Sequence, residues 1–315
     1  MSGLNNRKIA GKAEHDEIID KGQRSDMARV IRIILVLSIL GFGFVAFHFF
    51  NSTVESEILV SDHMKDFIDT VDRNKVKNEN RLMIFDLDDT VFMSSQILGT
   101  PTWFYHMINL LQLSGAARHE AYEVVIAINR VVQEQVAVVP VEQATLSAIR
   151  NWQKESYVVG ITSRSRDLAQ ITKAQLDQVG LSFSSSRFSC VESLWQDPDG
   201  DLIDGVLYAD GNAKKDSALF NFVRQIQSCG IEVKLLAQAD DQHHYVIKGA
   251  EFAKRHRIAF VGIIYGGALS SRMFDFAEAK SELLSLEAYL GTAIVPREYR
   301  QIFLNQAQMA SSSGG

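Results

Sequence analysis

The chain has 315 residues, a hydrophobic content of 46% and a formal net charge of −6, so it is long and apolar enough to bury a substantial core. It has no basic stripe interleaved with aromatic side chains, which excludes the electrostatic surface that nucleic-acid binding requires. Its two cysteines, Cys190 and Cys229, lack CxxC spacing, which excludes a thiolate zinc site and a disulfide-rich scaffold and leaves two buried thiols or one bridge.

An uncharged apolar run follows a polar N-terminal tail, residues 1–32. The run, Ile33 to Phe50, would be about 27 Å long as a helix, close to the hydrocarbon thickness of a bilayer. It predicts a transmembrane anchor through which the chain contacts membrane lipid. One alternative is a cleaved signal peptide, which would leave the protein secreted, although such a peptide has a shorter apolar region and a small-residue cleavage site. A buried core helix is the other alternative.

Basic residues are distributed unequally around this run. Lys21, Arg24, Arg29 and Arg32 precede it, whereas on its other side Lys65 alone lies at a comparable distance. The positive-inside rule therefore keeps the N-terminal tail in the cytoplasm and places the body of the protein in an extracytoplasmic, periplasm-like space. An oxidising compartment of this kind permits a bridge between the two cysteines.

Composition divides the rest of the chain into a central domain and its flanks. A helical pattern from Glu55 to Val71, followed by the charged stretch DRNKVKNEN, indicates a stalk. The predicted segments are a stalk over 51–80, a central domain over 81–270, two C-terminal helices over 271–308 that separate near Pro296, and a disordered tail over 309–315.

Four short apolar runs in the central domain predict strands. They are RLMIF (81–85), YVVGI (157–161), VKLLA (233–237) and IAFVGIIY (258–265). Their hydrophobicity is nearly continuous rather than alternating, which is typical of strands that are covered on both faces. Helix-period segments separate them, so the predicted fold class is α/β with a doubly wound, Rossmann-like parallel sheet.

Two insertions interrupt this pattern. Between the first two strands, helical patterns at Trp103–Leu113, Ala117–Val136 and Val141–Gln153 are too long for an ordinary loop and are interpreted as a helical cap over about 94–154. The second insertion has a turn at Asp197–Gly200 between two β-type runs, which predicts a hairpin. Its acidic residues do not follow the EF-hand pattern, so we interpret them as a solvated turn.

Polar side chains follow the predicted strands at the points where they end. Because ligands of a doubly wound sheet bind beyond the carboxyl ends of its strands, these side chains are expected to converge. They are Asp86, Asp88 and Thr90 after the first strand, Thr162, Ser163 and Arg164 after the second, Lys214 and Lys215 at a helix start, and Asp240 and Asp241 after a later strand.

The chemistry of this set indicates a metal and a phosphate. Clustered carboxylates repel each other unless a cation neutralises them, and a set of oxygen ligands suits Mg²⁺. Two lysines at a helix N-terminus oppose the positive end of the helix dipole, and a bound phosphate would reconcile them. The sequence therefore predicts a site for Mg²⁺ and a small phosphomonoester at this edge of the sheet.

The ordered motifs resemble the haloacid dehalogenase (HAD) superfamily of phosphohydrolases. The resemblance covers Leu82 to Tyr265 and rests on FDLDDT, LGTPTWFYH, ITSRS, the lysines and the late DD. It is greatest for a bacterial branch defined as a domain of unknown function, and more distant for class B acid phosphatases. The resemblance implies a HAD-type fold and Mg²⁺-dependent hydrolysis of a phosphomonoester through an aspartyl-phosphate.

The resemblance also implies roles for individual residues. Asp86 would be the nucleophile and Asp88 the general acid and base, with Thr90 fixing their loop. Thr162 and Ser163 would bind the phosphoryl oxygens together with Lys215, or with Lys214 as the alternative. Mg²⁺ would be held by the Asp86 carboxylate, the Asp88 backbone carbonyl and Asp241, with Asp240 bound to the metal or beside its ligands.

Several residues and the activity itself have alternative interpretations. Asp89 is interpreted as a turn residue, Arg164 as a salt-bridge partner or a substrate contact, and His243 and His244 as surface residues. Trp103 either roofs a substrate pocket as part of the cap or packs in a core. The alternative to an enzyme is a catalytically silent HAD-fold binding or scaffold protein at the membrane. A phosphoacceptor receiver domain is disfavoured by the order of its motifs. Receivers place the acidic pair after the first strand, whereas here the adjacent pair, Asp240 and Asp241, comes last. The sequence predicts nothing about oligomeric state.

Overall fold

The computed structural model describes residues 55–211, 213–271 and 273–305. The predicted N-terminal tail, the predicted transmembrane anchor at 33–50 and the predicted C-terminal tail lie outside the described residues. Within those ranges, none of the helices has the length and apolar character that a membrane span needs.

A seven-stranded sheet forms the centre of the described part of the chain. Its strand order is β1-β9-β8-β2-β5-β7-β6, and all neighbouring pairs are parallel except β6 and β7; β3 and β4 form a separate antiparallel pair. The prediction of a mixed α/β fold with a mostly parallel sheet is confirmed. The strands, in chain order, are β1 (Ser56–Ser61), β2 (Arg81–Asp86), β3 (Phe92–Ser94), β4 (Val138–Pro140), β5 (Tyr157–Thr162), β6 (Asp201–Ile203), β7 (Val206–Tyr208), β8 (Leu235–Asp240) and β9 (Ala259–Tyr265).

Helices cover both faces of this sheet, which explains the continuous apolar runs of the central strands. Helices α1, α4 and α5 contribute to the core on one face, and α6, α7 and α8 to the core on the other. The helices, in chain order, are α1 (Met64–Arg73), α2 (Pro101–Leu113), α3 (Arg118–Gln135), α4 (Gln143–Trp152), α5 (Ala169–Gln178), α6 (Ser189–Leu194), α7 (Lys215–Ser228), α8 (His243–Arg255), α9 (Gly267–Ser271), α10 (Phe276–Leu290) and α11 (Arg297–Asn305).

The described residues of the predicted stalk belong to the domain, so the stalk prediction is wrong for them. Strand β1 pairs in parallel with β9 at the sheet edge, and α1 buries Met64, Phe67 and Val71 against the sheet. Strand β1 escaped prediction because it is an edge strand whose apolar run, Ile58 to Val60, is only three residues long, and the segment from Glu55 was assigned to a helix.

The helices predicted between residues 94 and 154 do not pack as one unit. Helices α2 and α3 share an apolar cluster with the C-terminal helices α10 and α11, and these four helices are called the cap below. Helix α4 packs instead on the sheet through Leu146, Ile149 and Trp152. The predicted cap, residues 94–154, therefore extends too far at its carboxyl end. The sequence shows that each helix has an apolar face, but it does not show which element that face packs against.

The second insertion contains a hairpin, but its turn lies further along the chain than predicted. Strands β6 and β7 are joined by Asp204 and Gly205, both with positive φ (51° and 75°), which is the geometry of a two-residue hairpin turn. A Cβ on Gly205 would lie 2.1 Å from the Phe183 carbonyl oxygen, so glycine is required. At the predicted turn, the Asp197 carboxylate accepts the Asp199 N–H at 2.9 Å.

Cys190 and Cys229 form a disulfide with a Cα–Cα distance of 6.1 Å. The bridge connects α6 to the end of α7, over one face of the sheet. Of the two states that the sequence left open, the structure has the bridge.

Candidate active site

The candidate site lies where three adjacent strands of the sheet end. Strand β2 has β8 on one side and β5 on the other. Asp86 is the last residue of β2, Thr162 the last of β5 and Asp240 the last of β8. Because these strands are parallel, their carboxyl ends bring the three side chains to one edge.

Lys215 connects two of the acidic side chains. It is the first residue of α7 and only 2% exposed, and its Nζ lies 2.5 Å from Asp86 Oδ1 and 2.9 Å from Asp240 Oδ2. The side chain of Lys214 is 43% exposed and its Nζ lies 3.6 Å from Asp210. The geometry therefore separates the two lysines that the sequence left as alternatives, and Lys215 is the one at the site.

Three carboxylates form a group with the geometry of a cation site. Asp86, Asp240 and Asp241 each offer one oxygen, and these oxygens lie within 4.8 Å of one another. Asp240 also accepts the Gln242 N–H at 3.0 Å, so its two oxygens are engaged by the chain itself. A purely carboxylate donor set fits a hard divalent cation such as Mg²⁺ better than a soft metal.

Burial and mutual repulsion set the protonation of this cluster. Burial, with smaller contributions from Asp240, Asp241 and Asp88, raises the pKa of Asp86 well above its ordinary value despite the nearby Lys215. Burial and the Asp240 charge raise the pKa of Asp241 to about 8. Burial alone would lower the pKa of Lys215, but the carboxylates outweigh it and raise that pKa. A divalent cation would favour the ionised carboxylates and so reverse the first two shifts.

The stability of the metal-free chain is expected to fall as the pH rises from about 4 to about 8. The pKa of Asp241 is about 8 in the folded chain, against an ordinary 3.8, so the folded state holds this proton more tightly than the unfolded state. The free energy of unfolding that this bound proton contributes is complete below about pH 4 and is lost as the pH rises through about 8. Mg²⁺ should therefore raise the melting temperature more at pH 8 than at pH 6, as measured by thermal denaturation in chelator and in Mg²⁺.

Asp241→Asn is the control for this pH dependence, because the amide does not titrate. It should flatten the pH profile of the metal-free melting temperature. An equal effect of Mg²⁺ on wild-type stability at both pH values would contradict the assignment of the cluster as a cation site.

The loop after β5 presents a hydroxyl-rich segment to the same edge. The Thr162 hydroxyl accepts the Arg164 N–H at 3.2 Å, and the Ser163 carbonyl accepts the Gly211 N–H at 2.8 Å. The Tyr245 hydroxyl hydrogen-bonds Ser163, and its ring lies 4.5 Å from Lys215 Nζ. Sequence reasoning missed Tyr245 because a buried helical tyrosine has no signal that distinguishes it from a core residue.

The loop after β2 is held by its backbone. The N–H groups of Thr90, Val91 and Phe92 lie 3.0–3.4 Å from the Leu87 carbonyl oxygen. The buried Thr90 hydroxyl has no hydrogen-bond partner among the described residues, so the contact of Thr90 within the loop is the one made by its N–H. Asp89 adopts a positive φ of 59°, as expected of a turn residue, and burial together with the Asp88 charge raises its pKa to about 7.

The remaining sequence candidates are Trp103, the two histidines and Asp88. Trp103 is 1% exposed and packs in the apolar cluster of the cap, so its ring fills the interior of the cap instead of a substrate pocket. His243 and His244 are exposed at the start of α8. Asp88 lies against Arg164, with Arg164 Nη2 2.7 Å from Asp88 Oδ1.

The family described as "Protein of unknown function (DUF2608)" matches residues 60–291. The chain belongs to this family. The matched range of this DUF2608 chain includes every residue of the acidic cluster, Lys215 and the loop after β5.

Individual relatives of this DUF2608 chain are known from three chlamydial species. Proteins named "Putative outer membrane protein" from Chlamydia pneumoniae, Chlamydia trachomatis serovar D and Chlamydia muridarum are 26%, 24% and 25% identical to it over 193, 192 and 189 residues. The aligned regions cover 59%, 59% and 60% of this chain and 70%, 69% and 70% of theirs. No solved structure matches the chain.

Proposed function

We propose that this protein is a Mg²⁺-dependent phosphomonoester hydrolase of the HAD type that acts through an aspartyl-phosphate. The observation that carries the proposal is the position of Lys215, buried between Asp86 and Asp240 at the carboxyl edge of the sheet. A buried lysine beside a strand-end carboxylate can neutralise the charge that develops on a transferring phosphoryl group. The motif order and the acidic cluster around Asp241 support the same activity.

The reaction divides into two displacements at phosphorus. In the first, an oxygen of the ionised Asp86 bonds to phosphorus, the bond to the leaving oxygen breaks, and Asp88, which starts protonated, gives its proton to that oxygen. In the second, Asp88 takes a proton from water, the water oxygen bonds to phosphorus, and the bond from Asp86 to phosphorus breaks. The products are an alcohol and inorganic phosphate, and both carboxyl groups return to their starting state.

The remaining residues bind and orient the phosphoryl group. The Thr162 hydroxyl and the Ser163 N–H are the donors on the β5 side, and Lys215 is the cation on the α7 side. Mg²⁺ would be held by the carboxylates of Asp86 and Asp241 and the Asp88 carbonyl, with Asp240 beside them, and it would supply charge neutralisation at the phosphoryl oxygens.

We also propose that the domain lies outside the cytoplasm, held by the anchor predicted at 33–50. The disulfide between Cys190 and Cys229 supports an oxidising compartment, and the chlamydial relatives carry the name "Putative outer membrane protein". A reporter that is active only outside the cytoplasm, fused after Gly315, should be active. Activity of a cytoplasm-specific reporter at that position would contradict this topology.

Steady-state hydrolysis by the full-length protein tests the enzymatic proposal. We expect the protein to release 4-nitrophenol from 4-nitrophenyl phosphate in the presence of Mg²⁺, and chelation to abolish the reaction reversibly. The panel should include aryl, alkyl and sugar phosphates, because the substrate is not defined by the motifs. Absence of Mg²⁺-dependent hydrolysis across this panel would overturn the proposal and favour a binding or scaffold role.

A further inference from the structure

Both oxygens of the Asp88 carboxylate are bound by one guanidinium. Arg164 Nε lies 3.0 Å from Asp88 Oδ2 and Arg164 Nη2 lies 2.7 Å from Asp88 Oδ1. The Arg164 side chain is only 8% exposed and that of Asp88 28%. This two-pronged contact fixes the plane of the carboxylate as well as its position.

The other donors of Arg164 are also occupied by the protein. Nη1 donates to Thr172 Oγ1 at 3.0 Å and to Gln175 Oε1 at 2.6 Å, and Nη2 donates to Gln133 Oε1 at 3.1 Å. A guanidinium has five N–H donors, and these contacts together with the two to Asp88 use all five. The guanidinium therefore has no donor left for a substrate phosphate, which argues against a direct substrate contact by Arg164.

The residues that hold Arg164 come from two layers of the fold. Thr172 and Gln175 belong to α5, which packs on the sheet, whereas Gln133 belongs to α3 of the cap. Gln133 Nε2 also donates to the Gly99 carbonyl oxygen at 2.7 Å, and Gln175 Nε2 donates to Gln133 Oε1 at 3.0 Å. Thr172, Gln175 and Gln133 are all buried, so the network is shielded from water and geometrically specific.

We infer that Arg164 is a positioning residue that orients the Asp88 carboxyl group for proton transfer to the leaving oxygen, and that the cap sets this orientation through Gln133. The inference rests on the proposed function. A protonated Asp88 carboxyl group has one O–H to donate to the leaving oxygen, and its remaining lone pairs can still accept from Arg164. The cap thereby influences the chemical step without contacting the phosphoryl group.

Leaving-group dependence separates this role from a purely structural one. An alkoxide leaves poorly unless it is protonated, whereas 4-nitrophenolate leaves without a proton, so loss of an oriented acid slows the two substrates unequally. We expect Arg164→Met to lower kcat/KM, which reports the first displacement, by about 10²-fold for an alkyl phosphate and by less than about threefold for 4-nitrophenyl phosphate. Inhibition by inorganic phosphate should change little, because Arg164 does not bind phosphate.

Two further variants keep the test decisive. Gln133→Met removes the side-chain hydrogen bonds of Gln133 to Arg164, Gln175 and Gly99 but leaves Asp88 paired with Arg164. It should give a smaller loss of the same unequal kind, and it tests the inference if Arg164→Met does not fold. Arg166→Met is the matched control, since the Arg166 side chain is 65% exposed and pairs with Asp201 at 3.1 Å; it should leave both rates unchanged. Equal losses of kcat/KM with the two substrates, or weaker inhibition by inorganic phosphate alone, would overturn the inference.

Failure of the inference can be distinguished from failure of the proposed function. If the wild type hydrolyses phosphomonoesters with Mg²⁺ and the variants keep its alkyl-to-aryl rate ratio, the positioning role is wrong and the enzymatic proposal stands. If the wild type has no such activity, the enzymatic proposal fails first and the positioning role fails with it.

Discussion

Asp86→Asn is expected to lower kcat for phosphomonoester hydrolysis by about 10⁴-fold or more. Asparagine has nearly the shape of aspartate, but its amide cannot form the acyl phosphate that divides the reaction into two steps. The amide oxygen can still accept the hydrogen bond that Lys215 Nζ donates to Asp86 Oδ1 at 2.5 Å, so the fold should survive. Initial rates with 4-nitrophenyl phosphate at saturating Mg²⁺, together with thermal denaturation, measure both effects.

Asp89→Asn is the matched control for this substitution. Asp89 is a buried carboxyl group on the same loop, and it adopts a positive φ of 59° that asparagine tolerates well. We expect this variant to keep most of the wild-type rate because Asp89 has no role in the two displacements. Equal rates for Asp86→Asn and the wild type would remove Asp86 as the nucleophile. A phosphorylated peptide containing Asp86, trapped by acid quench of the wild type, would directly support it.

The residues of the site can be predicted from the sequence because their positions follow from the order of the motifs and from where the predicted strands end. Strand β2 ends at Asp86 and β5 at Thr162, as the apolar runs predict to within a residue. Parallel pairing then brings those ends together whatever the details of the helices. For this reason the convergence of Asp86, Lys215 and Asp240 needs little beyond the pattern of hydrophobic and polar residues.

The side-chain contacts that orient the site residues cannot be predicted from the sequence in this way. The pairing of Asp88 with Arg164 depends on side-chain rotamers and on a buried network that includes Gln133, which lies 31 residues before Arg164. From the sequence, Arg164 could be a salt-bridge partner or a substrate contact. Its partners are distant in the chain, so the sequence does not decide between the two. The composition of the cap could not be predicted for the same reason. Helices α10 and α11 pack on α2 and α3 through apolar faces that the sequence could equally assign to other partners.

Lys215→Met is expected to lower kcat by about 10²–10³-fold, the loss typical of removing one charged donor from a transferring group. Methionine fills most of the buried volume, but the carboxylates of Asp86 and Asp240 lose their shared cation at 2.5 and 2.9 Å. Their mutual repulsion then increases, and a bound Mg²⁺ becomes a larger part of their neutralisation. The variant should therefore gain more thermal stability from Mg²⁺ than the wild type does while it loses activity.

Lys214→Met is the control that makes this result specific to position 215. Lys214 is the adjacent residue with the same chemistry, but its ammonium is partly exposed and lies 3.6 Å from Asp210, where an ion pair contributes little. It should retain the wild-type rate and the wild-type response to Mg²⁺. If both substitutions reduced kcat equally, the lysines would act through the general positive charge of this helix start, and the buried contact with Asp86 would not explain catalysis. A loss confined to Lys215→Met, with an enlarged Mg²⁺ effect on stability, is the combination that a lysine buried between two carboxylates requires.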